Sequence, residues 1–107
     1  MRWYRHLYMG EKAKKNRYSI LQKLRNGKLQ PMVHVIVPAS GERNLLDILP
    51  SYVLLQDHYK SQEELLILGV GADYYEALEV AGKIVHDVYR TTGGFELKIF
   101  LEKNGQR

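Results

Sequence analysis

Two uninterrupted apolar runs set the frame of this chain. Met32-Val33-His34-Val35-Ile36-Val37 is rich in β-branched residues and bounded by Pro31 and Pro38, and Leu65-Leu66-Ile67-Leu68-Gly69-Val70 is apolar throughout. A strand that shows one face to water alternates apolar and polar residues, whereas a strand without a polar face is covered on both sides. A chain with two such strands needs helices on both faces of one sheet. At 107 residues it does this within a single domain.

Helical patterns lie between and around these runs. Ile20, Leu21 and Leu24 oppose the polar set Lys12, Lys15, Ser19, Gln22 and Lys23, which predicts a helix over about 11–25 that stops at Asn26-Gly27. Asn26-Gly27 is also a hairpin signal, so a hairpin is the competing reading. Trp3, Tyr4, Leu7 and Tyr8 cluster one helical turn apart and extend the helical reading to the N-terminus, interrupted at Gly10. Asn44 is a candidate N-cap for a helix over Leu45–Leu49. Pro50 breaks or restarts that helix, which continues over Ser51–His58, and 57–62 form a polar connection. Asp73 with Glu76 resembles a capping box opening a helix over about Tyr74–Thr91, ended by Gly93-Gly94. Its polar side holds Glu76, Glu79, Lys83, His86, Asp87 and Arg90; Leu78, Ala81, Val85, Val88 and Tyr89 are its expected buried side. Phe95, Leu97, Ile99 and Leu101 then alternate with Glu96, Lys98 and Phe100, the pattern of an edge strand over 95–101.

The expected fold is therefore α/β, a small three-layer sandwich in α-β-α-β-α-β order. Its sheet is short and mainly parallel, with about three strands joined by right-handed crossovers. Residues 1–31 form a basic, aromatic-rich helical arm, 32–101 the α/β body and 102–107 a polar tail. A three-stranded sheet leaves two edges, so the strand over 95–101 is a candidate seam for a homo-oligomer.

Charge is unevenly placed. Residues 1–31 carry nine cations (Arg2, Arg5, Lys12, Lys14, Lys15, Arg17, Lys23, Arg25, Lys28) against Glu11, a local charge of +8 in a chain of net +4. Trp3, Tyr4, His6, Tyr8 and Tyr18 are interleaved with them. Such a segment can neutralise phosphates and stack bases, or it can lie across its own acidic body. The residues that carry the first reading are Arg2, Trp3, Arg5, Lys12, Lys14, Lys15 and Arg17, and the partner is a nucleic acid or an acidic protein surface.

Several function classes are closed by composition. There is no cysteine, which excludes disulfides, thiolate zinc sites, iron–sulfur ligation and thiol nucleophiles. The apolar-plus-glycine stretch Leu65–Ala72 is too short to span a bilayer, and the N-terminus alternates aromatics with charges, unlike the apolar core of a signal peptide. A cytoplasmic protein is the expectation. Ser19, Ser40, Ser51 and Ser61 sit in no nucleophile motif, and His6, His34, His58 and His86 have no metal-ligand spacing. His34 is expected as a hydrogen-bonded core residue. No catalytic residue, metal or cofactor is assigned.

The leading reading is thus a non-enzymatic binding or interaction module whose basic arm meets an anionic partner. The alternative is a small-ligand or nucleotide-phosphate site, open to catalysis. It would use loops at the carboxyl ends of the strands: Ser40, Gly41, Arg43 and Asn44 after the first run, and Gly69, Gly71 and Asp73 after the second. With parallel strands these loops converge.

Overall fold

The structure is a computed structural model that describes residues 1–41, 43–60 and 63–106, with the side chains of His58 and Lys60 excluded. Expectations that touch Glu42, Ser61, Gln62, Arg107 and the His58 ring fall outside it. The elements in chain order are β1 (Arg2–Met9), α1 (Glu11–Lys15), α2 (Arg17–Arg25), β2 (His34–Pro38), β3 (Leu46–Pro50), a 3-10 helix (Ser51–Leu55), α3 (Asp57–Lys60), β4 (Leu66–Gly71), α4 (Tyr74–Thr92) and α5 (Leu97–Lys103). The α/β class holds, but the sheet has four strands in the order β1-β4-β2-β3 and is mixed. β1 runs parallel to β4, while β2 is antiparallel to both β4 and β3.

Helices cover both faces. On one face Ala13, Ile20, Leu21 and Leu24 pack on Val33, Val35, Val37, Ile67 and Val70. On the other, Ala77, Val80, Ile84, Val88 and Phe100 pack on Tyr4, Ile36, Leu66 and Leu68. Both apolar runs form buried inner strands, and only β1 and β3 are edges.

The helix expected over about Tyr74–Thr91 is α4, whereas several other expectations about elements need correction. Residues 2–9 are a strand and not the start of a helical arm. Trp3 and Leu7 contact the α1–α2 side while Tyr4 and Tyr8 contact the α4 side, as alternation requires. Their helix-like spacing arises because Arg5 and His6 are exposed where β1 swings out of register, between the pairs Trp3↔Ile67 and Tyr8↔Gly69. The helix over 11–25 is divided at Asn16 into α1 and α2. Residues 46–50 form β3, because the short 39–45 connection returns the chain antiparallel alongside β2. Asn44 therefore caps no helix. Ser51–Leu55 is a 3-10 turn.

At the other end of the chain, 95–101 is not a strand. Both neighbours of β4 are taken, so no slot remains beside it, and Leu97, Phe100 and Leu101 instead form a helical stripe against Tyr4 and Leu66. The expected oligomer seam over 95–101 is removed with that strand. Part of the tail is ordered: Gln106 Oε1 accepts the Arg5 N–H at 2.8 Å.

In α4 the buried stripe is Ala77, Val80, Ile84 and Val88. Leu78 and Tyr89, expected inside, are 44% and 55% exposed. The 3.6 period carried two apolar stripes, and burial selected the one with smaller, β-branched side chains that seat closer to the sheet.

Candidate nucleic-acid interface and the strand-end loops

The two candidate ligand loops lie at opposite ends of the sheet. His34 pairs with Gly71 and Ile36 with Gly69, so the carboxyl end of β4 sits beside the start of β2, and Pro38 lies at the far end. Ser40, Gly41, Arg43 and Asn44 therefore cannot share a pocket with Gly69, Gly71 and Asp73. Within the first loop, Ser40 N–H turns inward to Asp47 Oδ2 at 3.3 Å. Arg43 and Asn44 instead border a groove of about 360 Å³ with Leu45, Val85 and Phe95.

At the other end, the glycines admit a helix. A Cβ on Gly71 would stand 2.5 Å from the Ala77 backbone nitrogen, and one on Gly69 2.9 Å from Val80 Cγ1. α4 itself occupies the close approach that a ligand would need.

Here β1 and β4 run parallel, and their following helices α1 and α4 begin side by side. Asp73 Oδ1 caps α4 by accepting the Glu76 N–H at 2.8 Å, as expected. The capping hydrogen bond and the Lys12 ammonium, 3.2 Å away, hold the Asp73 carboxyl below its ordinary range. Glu76 departs from the capping box. Its buried carboxylate, 6% exposed, accepts Ala72 N–H (2.9 Å), Ala13 N–H (3.0 Å) and Lys12 N–H (2.7 Å). The amides that would cradle a phosphate at the start of α1 are thus satisfied by a carboxylate from α4. Gly10 is required beside it, since a Cβ there would collide with the Glu76 side chain. The sequence clue was an absence: Gly10 heads a helix with no side-chain cap of its own.

Beside this hub a cleft of about 480 Å³ runs between β1 and α4, bordered by His6, Tyr8, Lys14, Glu79 and Lys83. The Tyr8 hydroxyl donates to Asp87 Oδ2 at 2.6 Å. Burial and then that carboxylate push the Tyr8 phenol well above its ordinary range. Asp87, on the polar side of α4, is thereby tied to β1. Among the described residues, no three His, Asp or Glu side chains gather where they could hold a metal ion. His34 is half-buried; its Nδ1 lies 2.8 Å from Met32 O and its ring packs edge-on to Tyr74.

The cations expected to meet an anionic partner divide into two groups. Those of β1 are tied to the body: Arg2 pairs with Glu64 at 3.2 Å, and Trp3 packs on the α1–α2 core beneath the Arg25 guanidinium, 5.4 Å from its ring centroid. Trp3 is therefore not a free stacking platform. Arg5 lies over the Gly105 turn. The second group is outward: Lys12, Lys14, Lys15, Arg17, Lys23, Arg25 and Lys28 are all exposed on α1, α2 and the turn after them. Lys12 pairs with Asp73 and Lys14 with Glu11 at 3.5 Å, while Arg17 leans on Met9 Sδ at 3.1 Å. Among the described residues no carboxylate pairs with Lys15, Arg17, Lys23, Arg25 or Lys28. The basic segment thus does little to neutralise its own body. Tyr18, 78% exposed, stands among these cations, its hydroxyl accepting from Gln22 Nε2 at 2.9 Å.

Comparison with known proteins found no matching family model, no matching curated protein and no matching solved structure. No described helix is long and apolar enough to cross a membrane.

Proposed function

We propose that this protein is a non-enzymatic nucleic-acid-binding module whose contact surface is the outer side of α1 and α2. The observation that carries this reading is the density of exposed cations on two short helices and the turn after them, five of them without a carboxylate partner among the described residues, with Glu11 as the single acid among them. Counter-ions condensed on a polyanion are released when such a surface docks, which is the main driving force of backbone binding. Exposed Tyr18 supplies a ring on which an unpaired base can stack, so single-stranded substrates are favoured. The reading of a phosphate site at the strand ends is weaker, because its two loops are apart and the α1 amides already bind Glu76.

The test is fluorescence anisotropy of labelled single-stranded and duplex oligonucleotides over a salt series. Four or five phosphate contacts give a log–log slope of about −3 on single strands. The combined variant Lys15→Glu, Arg17→Glu, Lys23→Glu abolishes binding, while Lys98→Glu, on α5, leaves it unchanged. Tyr18→Ala weakens single-strand binding by about 1–3 kcal/mol and duplex binding little. Absence of binding at low salt, or a slope that the triple variant does not alter, overturns the proposal.

A further inference from the structure

Helix α4 carries a second apolar stripe that the described residues leave largely uncovered. Tyr75, Leu78, Gly82, Val85 and Tyr89 recur at spacings of three and four, the seam pattern of a helix that packs against another helix. Tyr75 is 76% exposed, Leu78 and Tyr89 about half, and the Tyr89 ring lies tilted against Phe95, itself exposed. At the centre of the seam stands Gly82, in mid-helix and open to solvent, with no atom within 4 Å of where its Cβ would be. Glycine at such a position costs helix stability without any internal packing reason. What glycine offers is close approach of a second helix backbone.

We propose that α4 is a homodimer interface, with the α4 helix of a second copy crossing antiparallel about a two-fold axis at Gly82. The charges beside the seam favour a second copy over an unrelated partner. A two-fold at Gly82 sets residues whose numbers sum to about 164 opposite one another. Tyr75 then meets the partner's Tyr89, and Leu78 the partner's Val85. Glu79, on the flank of the seam, comes opposite the partner's Lys83 and the partner's His86, and the same pairs form again across the axis. The stripe is thus complementary to itself in both shape and charge, as an isologous contact must be. This interface lies on the opposite side of the sheet from α1 and α2, so it stands or falls independently of nucleic-acid binding.

The experiment is sedimentation velocity of the full chain, without nucleic acid, up to about 1 mM, where even weak dimers are populated. The parent shifts from its 12.5 kDa monomer toward twice that mass as concentration rises. Gly82→Arg, placed where no neighbour is disturbed, keeps the circular dichroism and unfolding midpoint of a folded chain and remains monomeric. Glu79→Lys and Lys83→Glu each weaken self-association at least several-fold, and mixing the two variants yields a heterodimer. A parent that stays monomeric throughout overturns the proposal. So does a Gly82→Arg variant that dimerises like the parent, or a mixture of the two charge variants that associates no better than either alone.

Discussion

The helical layers on the two faces of the sheet are built on different terms. α4 has 19 residues, an aspartate cap at its start and Gly93 in the left-handed conformation at its end (φ 76°). Its local signals agree with each other, and it was legible in the sequence almost to the residue. α1 and α2 have five and nine residues, and neither receives a hydrogen bond from its own N-cap side chain. α1 instead takes its cap from Glu76, 63 residues away at Ala13 N–H. One layer supports itself and the other depends on it. Helices shorter than about a dozen residues are marginal alone, so α1 and α2 exist by virtue of the core they cover and the carboxylate they borrow. A layer relieved of self-support can spend its outer surface on charge, and the cations are concentrated there.

This contrast can be broken from the α4 side. Gly71→Ala forces a methyl into the Ala77 backbone and should lift α4 from the sheet, destabilising the protein by about 3 kcal/mol in urea unfolding. A loss below about 1 kcal/mol would mean that the helix shifts freely and that its close seating does not matter. Glu76→Gln replaces one accepting oxygen with an amide that can only donate to groups that are themselves donors. The expected loss is about 2 kcal/mol, with hydrogen exchange at Lys12 and Ala13 accelerated more than in the middle of α4. If α4 exchanges as fast as α1 in this variant, the dependence runs both ways.

Smaller effects sharpen the picture through pH. The depressed Asp73 carboxyl contributes stability that is present above the ordinary carboxylate range and lost as pH falls through its lower folded value. Asp73→Ala should therefore lower the unfolding midpoint at pH 7, less than Glu76→Gln does, and flatten the acid limb of the midpoint–pH curve. Tyr8 has the opposite sign. Its phenol is raised by burial and by Asp87, so its contribution is intact below the ordinary tyrosine range and declines as pH rises beyond it. Tyr8→Phe should cost stability at neutrality, less than the changes above, with the difference from the parent closing as pH rises beyond the tyrosine range and the alkaline limb softened; buried Tyr4, also raised, keeps some of the slope.

The sequence by itself determined the two inner strands, the caps and stops of α4, the turn at Gly27 and the location of the charge. Each of these is a short-range matter: a run without a polar face, a cap three residues from its partner, a glycine where φ is positive, a count of cations. Strand direction, the edge positions and the fate of ambiguous segments were decided only in three dimensions. Leu46–Pro50 became a strand because β2 offered it an edge, and 97–103 became a helix because β4 had no free edge left. Trp3 to Tyr8 resembled a helix because an excursion in a strand mimics its spacing. Which apolar stripe of α4 faced the sheet was likewise set by how closely the sheet let the helix approach. For the same reason the two candidate loops separated: antiparallel pairing of β2 with β4 places their carboxyl ends at opposite ends of the sheet, a fact of neighbours that no local pattern records.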